Sequence, residues 1–161
     1  MNNHTISISV TNEPGVLSRI VDLFSGRGFN IESLTVAPTM DGAYSRVTIV
    51  TQGDNSSIEQ ITKQLNRLIP ILKVIDLTVA EAVETEVALV KVHAKDETRA
   101  QILNCVATTG AKIVDVTDKT YTIQIVGDTK QINALLELLK PIGIKEMVRS
   151  GKIAASKDVT L

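Results

Sequence analysis

The stretch that decides the fold is "TNEPGVLSRI", Thr11 to Ile20. Ahead of it, Ile6, Ile8 and Val10 alternate with Ser7, Ser9 and Thr11, the period-two pattern of a half-buried strand. Behind it, Leu17, Ile20, Val21 and Phe24 recur at i, i+3, i+4 and i+7, which predicts a helix with that face inward. Gly26 and Gly28 supply its stop. The junction itself, Asn12-Glu13-Pro14-Gly15, has two readings. It is either a plain β-to-α turn, with Asn12 as cap and Gly15 as the flexible residue, or a helix N-terminus left open for an anion. In the second reading Pro14 takes the first helical position, where its missing N–H costs nothing. Gly15 then clears the approach to backbone N–H groups that favour a carboxylate. Val16 and Leu17 would form an apolar wall, and Asn12 and Asn30 offer donors and acceptors for an amino acid's charged ends.

Working outward from this junction, "FNIESLTVAPT" and "SRVTIVTQ" read as strands around the loop "MDGAY". Asp54, Asn55 and Ser56 supply N-cap chemistry, and Ser56 with Glu59 fits a capping box, for a second helix carrying Ile58, Ile61, Leu65 and Leu68, which ends before Pro70. "ILKVIDLTV" is the fourth strand, and the order β-α-β-β-α-β is ferredoxin-like. The order then returns. "EVALVKVHA" predicts a strand and Asp96 to Thr109 a helix with Ile102, Leu103 and Val106 inward. "AKIVDVT" and "YTIQIVG" form a hairpin around Asp118-Lys119. Ile132, Leu135, Leu136 and Leu139 mark a helix, and "GIKEMV" a last strand. Gly53-Asp54 and Gly127-Asp128 each open a second helix, while Pro70 and Pro141 each follow one, so the chain is an internal repeat. We read an α+β protein of two tandem ferredoxin-like domains, residues 1–80 and 81–161, joined near Ala80 to Thr85.

Composition narrows the function. With 43% hydrophobic and 22% charged residues the chain can bury a core. A net charge of −1 gives no electrostatic case for nucleic acid or an acidic membrane. Aromatic residues total 2%, too few for a base-stacking sheet. The single Cys105 excludes an internal disulfide and a CxxC metal or redox motif. The polar N-terminus does not resemble a signal peptide, and no apolar run reaches the length of a membrane span, which predicts a soluble, cytoplasmic protein. His4 and His93 read as structural, Cys105 as a structural thiol, and no nucleophile–base or carboxylate pair stands out as catalytic. Small-molecule binding remains. The second repeat has "AKDET" where the first has "NEPG", and its hairpin loop is shorter, "TDKTY" against "APTMDGAYS", so the special chemistry belongs to the first domain.

The run "NEPGVLSRIVDLFSGRGFNIESLTVAPT" resembles the signature of ACT domains. More narrowly it is similar to the regulatory, small subunits of acetolactate synthase, also called acetohydroxyacid synthase. The resemblance continues through "SRVTI", "EVALVKV", "IVDVT" and the late "RSG" at Arg149 to Gly151, and so spans nearly the whole chain. It implies a non-catalytic subunit that activates a thiamine-diphosphate-dependent catalytic subunit and confers feedback inhibition by valine or a related branched-chain amino acid. It also implies a homodimer through the ACT domains. The effector then lies between two chains, one giving Asn12, Gly15, Val16 and Leu17 and the other Asn30 and Ile31. No metal site and no cofactor are expected on this chain, with thiamine diphosphate, Mg and FAD expected on the catalytic subunit alone. Pro14 stands at a position that varies in that family. The competing reading is a free-standing amino-acid-binding ACT sensor, such as one controlling transcription, although no helix-turn-helix or basic helix is present to serve it.

Overall fold

The computed structural model describes residues 2–157. The chain first runs β1 (Asn2–Thr11), α1 (Val16–Gly26), β2 (Ile31–Pro38), β3 (Tyr44–Gly53), α2 (Asn55–Leu65) and β4 (Ile71–Asp76). It then repeats the order with β5 (Ala82–His93), α3 (Asp96–Thr109), β6 (Lys112–Val116), β7 (Thr120–Gly127), α4 (Thr129–Leu139) and β8 (Ile144–Arg149). The sheets are antiparallel, in the orders β2-β3-β1-β4 and β6-β7-β5-β8, so each half is a ferredoxin-like βαββαβ unit. A further strand, β9 (Ile153–Ser156), pairs with β5.

In the first unit, Ile6, Ile8 and Val10 of β1 and Val47 and Ile49 of β3 meet Val16, Ile20 and Phe24 of α1 and Ile58, Ile61 and Leu65 of α2. The alternation on the strands and the 3.6 period on the helices put these residues on facing sides. In the second unit Ala88, Val90, Val92, Ile123 and Ile125 pack with Ile102, Ile132, Leu135 and Leu139. The chain divides into a unit ending at Glu84 that takes back the segment from Lys152, and a unit of Thr85–Gly151. The reading 81–161 for the second domain therefore differs at its end. The sequence pattern gave no sign of β9, a four-residue strand reading Ile-Ala-Ala-Ser. In the first unit β9 lies against β1, the Thr35 hydroxyl donates to the Lys152 carbonyl at 2.9 Å, and Thr5, Ser7, Ser9, Thr48 and Val50 are buried on the sheet face away from the helices.

Several local expectations are corrected. Pro14 precedes α1 rather than opening it, because Gly15 is the N-cap. The residue after the cap, Val16, turns into the core and Leu17 outward, where it is 36% exposed. The Ser56–Glu59 box does not form. Asp54 caps α2 by accepting from the Ser57 amide at 2.9 Å, and Glu59 pairs with Lys63 one turn on. Leu103 faces out from α3, whose single fully inward residue is Ile102. Cys105 is only partly buried beside that core, its thiol 3.9 Å from the Leu138 carbonyl. His4 is buried with Nδ1 at 3.3 Å from Asp76.

Candidate functional site

The junction after β1 is built to present a bare helix end. Gly15 has φ 84°, in the left-handed region where a side chain is strained, and a Cβ placed there would meet nothing within 4 Å. Its carbonyl accepts from the Arg19 amide at 3.2 Å, while the Val16 amide reaches back to Glu13 at 3.4 Å. No side chain caps α1 and its first turn holds no acid. The amides of Leu17 and Ser18 therefore have no acceptor among the described residues, and they sit at the positive end of the helix dipole. Contrast α2, where Asp54 takes both the amide and hydroxyl of Ser57, bonds that hold its carboxyl below the ordinary range.

Asn12 braces this turn. Its Nδ2 donates to the Gly42 carbonyl at 2.9 Å, its Oδ1 accepts from the Ser45 hydroxyl at 3.1 Å, and its amide donates to Ala43 at 2.9 Å. The extended hairpin loop is thereby part of the junction, a link the sequence reading missed because it treated turn and loop separately. The glycine at the loop tip was its signal, since Gly42 also adopts positive φ. Asn30 donates from Nδ2 to Glu32 at 2.8 Å, and its carbonyl takes the Thr51 hydroxyl. Each amide still has one unused N–H and spare oxygen capacity. The side chain of Val16 is buried in the core and that of Ile31 packs against it.

Asn12 and Asn30 do not converge within one chain. Thr11 pairs with Tyr44, whereas Ile31 pairs with Thr51, at the opposite end of β3. Seven residues of strand separate the two ends, roughly 23 Å at about 3.3 Å per residue. Asn12 to Leu17 thus lie at one end of the sheet and Asn30 with Ile31 at the other. Among the described residues no cluster of three metal-ligating side chains occurs, and no helix is long and apolar enough to cross a membrane.

Two tandem βαββαβ units, the first opening on an uncapped glycine turn, define a regulatory protein of the ACT-domain class. Residues 6–73 match the AHAS small subunit-like ACT domain, and residues 85–158 match the small subunit of acetolactate synthase. The acetolactate synthase small subunit of Aquifex aeolicus is 48% identical over 159 residues, 98% of this chain and 83% of that one. That of Mycolicibacterium smegmatis is 45% identical over 154 residues, 96% of this chain and 91% of that one. The crystal structure of the small subunit from Thermotoga maritima superposes with a TM-score of 0.87 at 34% identity, covering 99% of this chain and 100% of that one. The chain belongs to the acetolactate synthase small-subunit family. It is a regulatory rather than a catalytic subunit, and its partner is a catalytic subunit of acetolactate synthase.

Proposed function

We propose that the chain senses a branched-chain amino acid, valine foremost, between the first units of two copies, and so tunes the thiamine-diphosphate-dependent catalytic subunit that it activates. The observation that carries this reading is the pairing of an uncapped helix end at Gly15 with a second half-site at the far end of the same sheet. The bare amides suit an effector carboxylate, and Asn12 and Asn30 suit its polar ends.

A second copy supplies the missing geometry. Among the described residues β2 has a strand neighbour on one side only. Two copies of β2 paired antiparallel about their midpoints would lay the start of one strand beside the end of the other. Asn30 of one copy would then face Asn12 of the other across three strand spacings, roughly 14 Å at about 4.8 Å each. Side chains reaching in from both sides leave room for one amino acid, with Leu17 against its apolar part. The effector acts at a distance because the closed seam binds it and the open seam does not, and that difference in affinity shifts the pair between two states.

The isolated chain is then expected to have no acetolactate synthase activity and to carry no thiamine diphosphate, Mg or FAD, since those belong to the catalytic subunit. Calorimetric titration with valine, leucine and isoleucine across a range of protein concentrations tests the reading. Valine should bind most tightly, and its apparent affinity should rise with protein concentration until the dimer saturates. Affinity independent of protein concentration, in a chain that sediments as a monomer, would sink it.

A further inference from the structure

We propose that Arg27 pairs with the Glu13 side chain of a second copy, so that an ion pair flanks each effector and locks the seam; this rests on the two-copy reading above. Arg27 is exposed and has no ion pair or side-chain hydrogen bond among the described residues. It lies three positions before Asn30, at the same end of the sheet.

The other half-site holds the opposite charge. Glu13 is the single ionisable residue between Thr11 and Leu17, is exposed, and also has no side-chain partner among the described residues. Its backbone is fixed on both sides, the amide donating to Thr11 at 3.0 Å and the carbonyl accepting from Val16. The turn therefore projects the carboxylate from a set position. In the seam described above Glu13 stands beside Asn12 and Arg27 lies three positions before Asn30, so the two charges border the same gap, and two-fold symmetry repeats the contact. The charges are complementary, which favours this register over competing ones.

A plainer role exists for each charge. Arg27 is the C-cap of α1 and Glu13 lies just before its N-cap, so each complements the dipole of its own helix. That role is internal to a chain and cannot be repaired by another copy. The experiment exploits this with Glu13→Arg, Arg27→Glu and an equimolar mixture of the two. Each variant alone places like charges in both contacts. In the mixed dimer one contact is the native pair and the other is the reversed pair.

Sedimentation should show each single variant dimerising about tenfold or more weakly, with valine binding by calorimetry weakened in parallel. The mixture should return both to within about threefold of the parent. Circular dichroism on each variant establishes folding, and the doubly substituted E13R/R27E chain serves as a second rescue. Variants that dimerise as the parent does, or weakened variants that neither the mixture nor the double substitution restores, would overturn the proposal. If valine binding by the parent proves independent of protein concentration, the two-copy reading itself fails. If it depends on concentration while the charge variants behave as parent, the ion pair alone fails.

Discussion

The junctions after β1 and after β5 occupy equivalent places in equivalent folds and differ in what they leave open. After β1, Gly15 at φ 84° leads into α1 with neither a side-chain cap nor an acidic residue in the first turn. After β5, the N-cap is Lys95 in extended conformation, followed by Asp96 and Glu97. The Thr98 hydroxyl there accepts from the Lys95 amide at 3.2 Å and donates to the Lys95 carbonyl at 3.1 Å. The positive end of α3 is thus answered by its own carboxylates, and an incoming anion would meet two like charges. Topology alone does not make a ligand site. The conformation of one residue and the charge of the first turn separate a receptive helix end from a finished one.

The sharpest way to break this comparison is to give the first junction the chemistry of the second. Gly15→Asp puts a carboxylate where the effector's would lie. Like charges about 4 Å apart cost roughly 4 kcal/mol at an effective dielectric of 20 and about 1 kcal/mol in water. With the steric term, valine affinity should fall at least about tenfold. The left-handed conformation adds backbone strain of about 1–2 kcal/mol for any side chain, although no Cβ contact opposes it. Gly15→Ala carries that strain without the charge and serves as the control. The expected pattern is a modest fall in thermal midpoint for both variants, retained activation of the catalytic subunit for both, and valine resistance much stronger in Gly15→Asp. A folded Gly15→Asp variant that is still fully inhibited by valine would remove the site from this turn.

The same sheet face also differs between the units. Ser7 and Ser9 of β1 are buried, while of their counterparts on β5 Leu89 is exposed and Lys91 partly so. In the first unit the returning segment supplies part of the cover, with Lys152 tied to Glu84 at 2.7 Å and the Lys157 amide to the Glu81 carbonyl at 2.9 Å. Ending the chain after Gly151 should therefore destabilise the first unit and spare the second. A chain of this length loses about 2–4 °C of midpoint per kcal/mol, so a fall of several degrees is expected. Hydrogen exchange should place the added exposure at Thr5 to Ser9 and Thr48 to Val50. Protection unchanged on those strands would show that the segment is dispensable. For the same reason a fragment stopping near Ala80 is a poorer test of the first domain than the helix and strand pattern alone would suggest.

Legibility in the sequence followed periodicity. Apart from α3, the strands and helices of the repeats were readable from apolar alternation or a 3.6-residue stripe. α3 carries a weak stripe, with Ile102 as its one fully buried residue, and Leu103 was accordingly misplaced. β9 escaped because a short strand of alanine, serine and isoleucine has no pattern of its own and is defined by what it lies on. At the site, Gly15 was legible as a special conformation, since proline and glycine punctuate turns. The outward turn of Leu17 was not, because it depends on where the cap falls by a single residue. The brace between Asn12 and Gly42 joins positions thirty apart in sequence, and no local pattern reports it.

A smaller effect is expected from the loop that forms this brace. Thr39 donates to Asp41 at 2.6 Å and the Ala43 amide does so at 3.1 Å, bonds that hold the Asp41 carboxyl below its ordinary value. At the tip, Met40 is fully exposed. Extended loops on a rigid scaffold often carry recognition, and this one is longer than its counterpart in the second unit. Shortening it to the "TDKTY" pattern would also release Asn12, so the cleaner variant is Met40→Ser. That variant should weaken activation of the catalytic subunit severalfold and leave valine binding unchanged. Activation equal to the parent would assign the contact elsewhere.

The smallest expected effect lies on the exposed face of the second sheet. There Lys91 donates to Glu146 at 2.8 Å between β5 and β8, with both side chains largely in water. The hydrogen bond and the opposite charge lower the Glu146 pKa and raise that of Lys91. A lowered carboxyl stabilises the fold above its unfolded value, and that contribution is lost as pH falls through the folded value. A raised amine stabilises below its unfolded value, and that contribution is lost as pH rises through the folded one. The pair therefore contributes across the broad span between the ordinary carboxylate and lysine ranges and vanishes at either extreme. Exposed pairs of this kind contribute little, and salt screens them. Glu146→Gln should thus lower the thermal midpoint slightly near neutral pH, less so in high salt, and not at all in strong acid. Activation and valine inhibition should be unchanged. A loss as large as that from ending the chain at Gly151 would mean that this face is covered in the working protein, and the contrast drawn between the two sheets would no longer hold.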